Sequence, residues 1–560
     1  MKHLVTSALP YINGIKHLGN LAGSLLPADI HARHLRQTGR EVSFICATDE
    51  HGTPAELGAL AQGVGVRTYC DAQHAIQRDL YERFQLSFDH FGRTSSEANH
   101  RLTREIFLAL DAAGFVEERG IDQIWSPGDG RFLPDRYVQG VCPHCGGNAR
   151  GDQCDVCSTP LDPTDLVDPR SAISGASGLE VRTSRHLFLR QSALAGELEA
   201  WLGTRRGWPP QVLGIARGWL AQGLEDRCIT RDLEWGVAVP REGFEGKVFY
   251  VWFDAPIGYL AATTEWCEAS ARDVREWWGA DADVRHVQFM AKDNVPFHAI
   301  TFPATLIGSR LPLHTADVVK GVNWLLHEGG KFSTSGRRGV FLDQALEIAS
   351  VDQWRWWLAA NSPETADADF TFRRFADGVN SDLADKYGNL VSRVLGFVAS
   401  RYDGVVPEVS TPTEAEHALL ERLDGLLGAL RASHDEAALR RAADVVRTIW
   451  DVANAYVAEQ APWSLVKTDP ERAATVVASA VGLVRLAAVA SHVFVPGLST
   501  RVLALLGEEG DPSWPVTAAD GLRLVEGLRV ARPSPLVAKL DDAWVEQQVA
   551  RFSGADAGVA

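Results

Sequence analysis

Two short strings constrain this 560-residue chain most, His17-Leu18-Gly19-Asn20 and Lys331-Phe332-Ser333-Thr334-Ser335. If both serve one chemistry, the fold must bring together segments far apart in sequence. The first string follows Leu4-Val5-Thr6-Ser7-Ala8, which reads as a short buried strand, and a turn over Leu9-Pro10-Tyr11-Ile12-Asn13-Gly14. After it, Leu18, Leu21, Leu25, Ala28, Ala32 and Leu35 recur at helical spacing. His17 and Asn20 therefore fall in the first turn of a helix that follows a strand. Unpaired backbone N–H groups there suit a phosphate. Gly19 has no side chain and admits a flat base close to the backbone. Pro27, inside the same pattern, is expected to kink or break the helix. The plain alternative is an ordinary helix start with a surface histidine.

The second string lies between Gly329-Gly330 and Gly336-Arg337-Arg338-Gly339. A cationic, hydroxyl-rich loop flanked by glycines can close over a nucleotide and offset the charge of a leaving pyrophosphate. A solvated basic surface loop is the plain alternative. Taken together, the two strings point to ATP binding and adenylyl transfer.

The length requires several domains or subdomains. With 46% hydrophobic and 23% charged residues, the composition is that of a soluble globular chain. Met1-Lys2-His3 runs directly into a strand, without the pattern of a signal peptide. Ala473 to Val495 is strongly apolar, but Arg485, Ser491 and His492 interrupt it, so a buried bundle helix is expected, with no membrane span. A cytoplasmic location follows as an expectation. The net charge of −17 disfavours wholesale nonspecific nucleic-acid binding. It leaves room for a local basic face, for which Arg373-Arg374, Arg393 and Arg440-Arg441 are candidates.

Four of the eight cysteines fall close together as Cys142-Pro143-His144-Cys145 and Cys154-Asp155-Val156-Cys157. Two C-x2-C hooks at this separation can place four thiolates around one Zn2+. With all four positions filled by protein, the ion would be structural. Disulfides are a poor alternative for a chain without a secretion signal. His144, inside a hook, reads as a bystander.

Val42-Ser43-Phe44-Ile45-Cys46-Ala47 is another apolar strand, ending in Thr48-Asp49-Glu50-His51-Gly52. Polar residues at the carboxyl end of a buried strand are where open α/β sheets bind ligands. Asp49 could hold an α-ammonium; Glu50 and His51 could equally cap the next helix. Val248 to Tyr259 and Val287 to His298 each read as a strand running into a turn. Trp252, Tyr259, Phe297 and His298 could wall an apolar pocket or simply pack in a core. Strand–turn–helix units on both sides of the cysteine cluster imply one doubly wound α/β sheet, split in sequence. Beyond about residue 345 the pattern is helical. Leu419, Leu423, Leu426, Leu427 and Leu430 form one face, and Ser433-His434-Asp435-Glu436 has the form of a capping box.

These segments, in this order, resemble the methionyl-tRNA synthetase family of class I aminoacyl-tRNA synthetases. The likeness runs over nearly the whole chain. It is carried by Ala8 to Gly14 with His17 to Asn20, Cys46 to Pro54, and Phe132-Leu133-Pro134-Asp135-Arg136 with the four-cysteine knuckle. It continues through Thr230 to Gly236, Trp252 to Tyr259, Lys292-Asp293-Asn294, Asn389 to Arg393 and Glu459 to Trp463. The resemblance implies a Rossmann-type sheet split by a zinc-bearing connective insertion and followed by an α-helical anticodon-binding bundle. The implied parts are 1–96 and 249–322 for the catalytic halves and 97–248 for the insertion, with its knuckle near 140–158. A stem-contact region would occupy 323–384, the bundle 385–532, and a tail folding back 533–560.

The resemblance also implies roles. Ala8, Leu9, Tyr11, Asp49, Trp252, Ala255, Pro256, Tyr259 and His298 would bind L-methionine, with Asp49 on its ammonium. His17, Gly19, Asn20, Asp293, Lys331, Ser333 and Ser335 would bind ATP with Mg2+, and His17, Asn20 and Lys331 would act in catalysis. Asn389, Arg393 and Trp463 would read the anticodon of initiator and elongator tRNA(Met). Aromatic walls suit a polarizable thioether, and stacking suits splayed bases. Cys142, Cys145, Cys154 and Cys157 would hold the zinc. No dimerising appendix follows the bundle, so a monomer is expected.

Two positions depart from the family pattern. Thr334 stands where the family's KMSKS loop has its second lysine, for which Arg337 or Arg338 is a candidate substitute. Ala291 stands where a glycine is usual. Other readings are a paralogue that activates methionine or an analogue, a leucyl or cysteinyl relative, and a tRNA-independent nucleotidyltransferase. The knuckle and the Trp252–Tyr259 segment weigh against leucyl and cysteinyl relatives. A tRNA-independent enzyme would leave Asn389, Arg393 and Trp463 without purpose. A non-enzymatic zinc-ribbon protein would leave both strings unexplained.

Overall fold

The computed structural model describes residues 1–134, 137–151, 154, 157, 159, 161–334, 337–408, 411–525 and 527–553; Asp135, Arg136 and Ser335 lie outside them. The centre is a five-stranded parallel sheet of β1 (Lys2–Ser7), β2 (Val42–Thr48), β3 (His90–Arg93), β4 (Val284–Ala291) and β5 (Val318–Val322). The spatial order is β5-β4-β1-β2-β3. All four pairings are parallel. β1 pairs with β4 in register Lys2↔Val284 through Ser7↔Phe289, although the whole insertion separates them in sequence. Strands covered on both faces read as near-continuous apolar runs, which is why Val42-Ser43-Phe44-Ile45-Cys46 does not alternate. The order reverses at β1, and the carboxyl ends of β1 and β4 open a crevice there.

The insertion is antiparallel. A long ribbon pairs Val116–Ser126 with Glu180–Leu189, and a small sheet of Val138–Val141, Asn148–Arg150 and Val167–Ser171 carries the cysteine hooks. Beyond the Rossmann sheet the chain is almost entirely helical. Helix Pro470–Ser491, long and apolar, is buried through most of its length within the bundle. The terminal helix Asp542–Ser553 returns to the middle of the molecule, where Trp544 meets Phe372 and Phe375.

Three local expectations are corrected. The Val248–Tyr259 segment is not a strand of the central sheet. Only Val248–Phe249 pairs, antiparallel with Thr230–Arg231, before helices Val251–Asp254 and Ile257–Ala269. A short aromatic run does not separate strand from buried helix by periodicity alone. Pro27 does not break its helix, which is continuous from Leu18 to Gln37. The turn Leu21–Leu25 is wound wide, with Leu26 N–H reaching back to Leu21 O, and Pro27 follows as the second residue of helix Leu26–Gln37. Ser433 caps nothing: it lies near the end of helix Glu414–Asp435, and its hydroxyl donates to Ala429 O. The capping box of that helix is Thr413 with Glu416.

Sheet and bundle meet around one fully buried ion pair. Asp29 and Arg355 are both 0% exposed, with Nη2 to Oδ2 at 2.6 Å. Arg355 also donates to the carbonyls of Phe494, Phe84, Gln85 and Val493. Asp29 accepts from Arg33 and from the Ser87 amide and hydroxyl. Burial alone would raise the Asp29 carboxyl, but Arg33, Arg355 and Ser87 hold it well below the usual range. Arg355→Met leaves Asp29 half-paired in the core and is expected to destabilise the protein by about 3–5 kcal/mol, read as a fall in apparent melting temperature. An unchanged melting curve would contradict this role.

The same seam buries imidazoles. His34 stacks on His434 with ring centroids 4.7 Å apart, and His31 Nδ1–H donates to His434 O at 3.1 Å. Burial lowers His31 to about 3 and His434 well below its ordinary value. The unfolded chain takes up protons on these groups near pH 6.5, while the folded chain refuses them. Their contribution to stability is therefore present above pH 6.5 and lost as pH falls below it, by roughly 2 kcal/mol per buried imidazole at pH 5. Urea unfolding at pH 7.5 and pH 5 checks this; equal midpoints would refute it.

Candidate functional site

The crevice at the carboxyl ends of β1 and β4 is a cavity of about 460 Å3, a size typical of small-molecule sites. Ala8, Leu9 and Tyr11 enter it from the turn after β1, and His17, Gly19 and Asn20 from the first helical turn. Asp49 comes from just past the end of β2, and Trp252, Ala255, Pro256 and Tyr259 from helices Val251–Asp254 and Ile257–Ala269 and the link between them. Asp293 and His298 follow β4, and Lys331 and Thr334 belong to the second string. Segments from both sides of the insertion thus share one wall. Ser333 is not among the lining residues; its backbone pairs with Arg338 in the turn of the loop.

At one end the walls are aromatic. The Trp252 and Phe297 rings are 3.5 Å apart by centroid, and Tyr11 meets Trp252 edge-on at 6.4 Å. His298 is held at both nitrogens. Its Nδ1–H donates to Asn294 O at 2.9 Å, so Nε2 accepts from the Tyr259 hydroxyl, also at 2.9 Å. Burial lowers His298 to about 4, which keeps the ring neutral. Asp49 is buried, and its Oδ1 has no hydrogen-bond partner among the described residues. Burial, then the nearby Asp254 and Glu50 carboxylates, push its carboxyl well above the usual range, with Lys16 opposing. Such a group is completed by a ligand that brings a positive charge.

Glu50 and His51 do not cap the next helix; Gly52 occupies that position. Glu50 instead accepts from Thr48, Arg93 and Ser95, tying the ends of β2 and β3 together. His51 Nδ1 lies 2.6 Å from Asp254 Oδ2.

At the other end, His17 Nδ1 accepts the Asn20 N–H at 3.3 Å, and the His17 N–H bonds to Asn20 Oδ1 at 3.2 Å. Burial, helped by Lys16, lowers His17 to about 3, so the ring is neutral and Nε2–H is its free donor. Phe332 stacks on His17 at 4.9 Å. A Cβ on Gly19 would lie 3.0 Å from the His17 ring and 3.2 Å from Phe332, so only glycine fits without displacing them. Lys331 Nζ rests 4.0 Å above the Trp324 ring, which Lys292 Nζ covers at 4.2 Å. The Trp324 indole N–H donates to Asp293 Oδ1 at 3.3 Å.

Neither Arg337 nor Arg338 lines this cavity. Arg338 folds under the hairpin and donates to His327 O, and Arg337 borders a neighbouring cavity of about 550 Å3. Ala291 is accommodated: its methyl would sit 3.5 Å from a Cβ on Gly23 and fills space that glycine leaves open. Lys16 and Trp324 were not singled out by the sequence reading. Trp324 stands two residues past β5, the same strand-end position that drew attention to Asp49.

In the insertion, the four cysteine sulfurs lie within 4.8 Å of one another. Cys142 to Cys157 is 3.8 Å and Cys145 to Cys154 is 3.5 Å. Four sulfurs around one Zn2+ at about 2.3 Å would be about 3.8 Å apart, so the donor set fits. The His144 and Cys157 amides donate to the sulfurs of Cys142 and Cys154. In the bundle, Asn389 and Arg393 share a face of helix Asn389–Arg401, one turn apart. Arg393 lies 5.4 Å from the Trp463 ring, which is 40% exposed.

A split parallel sheet whose two halves bring these strings into one cavity defines a class I aminoacyl-tRNA synthetase. The family model of class I tRNA synthetases (M) matches residues 3–395, and that of the anticodon-binding domain of methionyl tRNA ligase matches residues 406–557. The chain belongs to the methionyl-tRNA synthetase family. It is 51% identical to a methionine–tRNA ligase of Cereibacter sphaeroides (strain ATCC 17029), over 98% of this chain and 99% of the relative. It is also 51% identical to methionine–tRNA ligase 1 of Acaryochloris marina, over 99% and 100%. Among solved structures, Mycobacterium tuberculosis methionyl-tRNA synthetase in complex with methionyl-adenylate superposes with a TM-score of 0.79 at 27% identity, covering 96% of this chain and all of that one.

Cys154→Ser removes a buried sulfur from the cluster. It is expected to lower zinc from about one ion per chain to near zero, measured by metal analysis of the purified protein. Full zinc retention would exclude the cluster as the site.

Proposed function

We propose that this chain ligates L-methionine to tRNA(Met) through methionyl-adenylate, at the expense of ATP. The observation that carries the reading is the cavity itself. Aromatic walls and a buried carboxyl group with one oxygen unpartnered among the described residues lie at one end, and a helix start with a neutral histidine and a lysine lie at the other. Methionine's thioether packs among Tyr11, Trp252 and Phe297, while Asp49 takes its ammonium. Leu9, Ala8, Ala255 and Pro256 complete the wall, and the Tyr259–His298 pair supplies a neutral polar edge that repels neither end of the substrate.

ATP, arriving as its Mg2+ complex, places its base near Gly19 and its phosphates at the helix start. The ionised methionine carboxylate attacks the α-phosphate in line, and pyrophosphate leaves; no general base is needed. His17 Nε2–H and Lys331 stabilise the charge that develops, Lys331 by leaving Trp324 for the phosphates. Asn20 fixes the tautomer of His17. Asp293, held by Trp324, serves the nucleotide, and Ser333 and Ser335 join it if the loop closes further. The terminal adenosine hydroxyl of tRNA then attacks the adenylate carbonyl and releases AMP.

Asn389, Arg393 and Trp463 are the anticodon readers in this proposal, with Trp463 offering a stacking face and Arg393 the charge behind it. The four cysteines hold one structural Zn2+. In this proposal residues 323–384 form the stem-contact region between sheet and bundle. The burial of the apolar helix Pro470–Ser491 supports its reading as a bundle core helix with no membrane span; a cytoplasmic location is part of the proposal. A monomer serving both initiator and elongator tRNA is the simplest assembly.

Aminoacylation of tRNA carrying a CAU anticodon, with methionine and ATP, tests the proposal. Asp49→Asn is expected to raise the KM for methionine about a hundredfold. Trp463→Ala is expected to raise the KM for tRNA about tenfold or more. Absence of methionine-dependent charging by the wild-type protein would overturn the reading.

A further inference from the structure

A basic and an acidic side chain line the main cavity, both buried and, among the described residues, not paired with each other. Lys16 is 3% exposed and Asp49 is 6% exposed. Among the described residues no ion pair joins them. The Lys16 ammonium, with three donors, gives one hydrogen bond among the described residues, to Asn13 Oδ1 at 2.9 Å; Asp49 accepts the His51 backbone N–H, but its Oδ1 accepts none. A buried amine and a buried carboxyl that face one cavity, each pushed toward its neutral form by burial, are drawn into their charged forms by a ligand of complementary charge. A zwitterionic α-amino acid carries the complement, an ammonium and a carboxylate on one carbon.

We propose that Lys16 Nζ holds the α-carboxylate of methionine, opposite the ammonium held by Asp49, and presents it to the α-phosphate. The inference rests on the reading of this cavity as the site of adenylate formation. Lys16 immediately precedes His17, and its field acts on both Asp49 and His17. It therefore sits between the amino-acid end and the phosphate end, where carboxylate and phosphate must meet.

The other basic groups of the lining do not fill this place. His17 and His298 are neutral, burial lowering them to about 3 and about 4. Lys331 rests on Trp324, and Arg337 and Arg338 lie outside the cavity. The position of Lys16 is also fixed: its carbonyl accepts Leu342 N–H at 2.9 Å, and His17 bridges to Phe341, stitching it to the segment after the second string. Burial lowers the Lys16 ammonium to about 7, and an anion beside it would restore its charge.

The chemistry balances without a proton transfer. One carboxylate oxygen forms a bond to the α-phosphorus as the bond from that phosphorus to the pyrophosphate oxygen breaks. Lys16 stays protonated throughout and offsets the repulsion between the two anions as they approach.

The test compares wild type with Lys16→Gln in three measurements: methionine-dependent pyrophosphate exchange, methionine affinity, and affinity for methioninol. Methioninol keeps the ammonium and thioether but lacks the carboxylate. Lys16→Gln is expected to lower exchange kcat/KM for methionine about a hundredfold. Methionine affinity should weaken about tenfold, while methioninol affinity stays within roughly threefold of wild type. A loss of methioninol affinity equal to that of methionine would show a damaged pocket and overturn the proposal, as would unchanged methionine affinity. Should the Gln variant not fold, Lys16→Met is read by the same pair of affinities. Failure of the wild type to exchange with methionine would instead count against the function proposed above.

Discussion

The Asp29–Arg355 ion pair is the contact on which the arrangement of sheet and bundle depends. Asp29 lies on the helix that continues directly from His17, and Arg355 lies on helix Val351–Ala360. The guanidinium also binds carbonyls at Phe84 and Gln85, just past helix Val66–Arg83, and at Val493 and Phe494 in the bundle. One planar group with five donors thus fixes four chain segments at once, which a lysine could not do. A buried pair of this kind adds little net stability over apolar packing, but its geometry admits few alternatives. The helix that carries His17 therefore has a set orientation relative to the bundle that carries Trp463.

The cavity works by the opposite device. Where Asp29 is over-satisfied, Asp49 is left incomplete, with burial and neighbouring carboxylates raising its carboxyl. Lys331 has a resting place on Trp324, and Phe332 covers His17 and Gly19. Charge in the cavity is thus held back until a ligand supplies its complement. Thr334 contributes no charge, and the two arginines that follow point their chemistry elsewhere, Arg338 into the hairpin and Arg337 toward a second cavity. The cations that remain in the lining are Lys16, built into the floor, and Lys331, carried by a loop.

Much of this was legible in the sequence for a definite reason. Ligand sites of open α/β sheets gather at strand ends, so Leu9, Tyr11, Asp49 and Asp293 could be found wherever a buried apolar run stopped at polar or turn residues. The cysteine spacing identified its cluster because hook geometry is local. Segment Val248–Tyr259 was misread because an apolar run of that length satisfies strand and buried helix alike. Ser433 was misread because a capping pattern carries no information about which side of a helix end it occupies. Pro27 was misread because a widened turn depends on packing across the helix, which no local pattern records. Trp324 stands past a strand end, but its bond to Asp293 and its contact with Lys331 exist only in the folded chain.

The amino-acid sequence by itself determined the class of the fold, the cysteine cluster and the two strings of the cavity. Each depends on spacing along the chain or on a run of residues that are neighbours in it. Only the tertiary structure decided which charges are paired. Lys16 and Asp49 are separated by a strand and a helix, as are Asp29 and Arg355 by most of the catalytic region. Yet one pair is joined at 2.6 Å and the other faces a cavity unjoined. Burial and partner geometry set that difference, and both exist only once β1 has found β4 across the insertion.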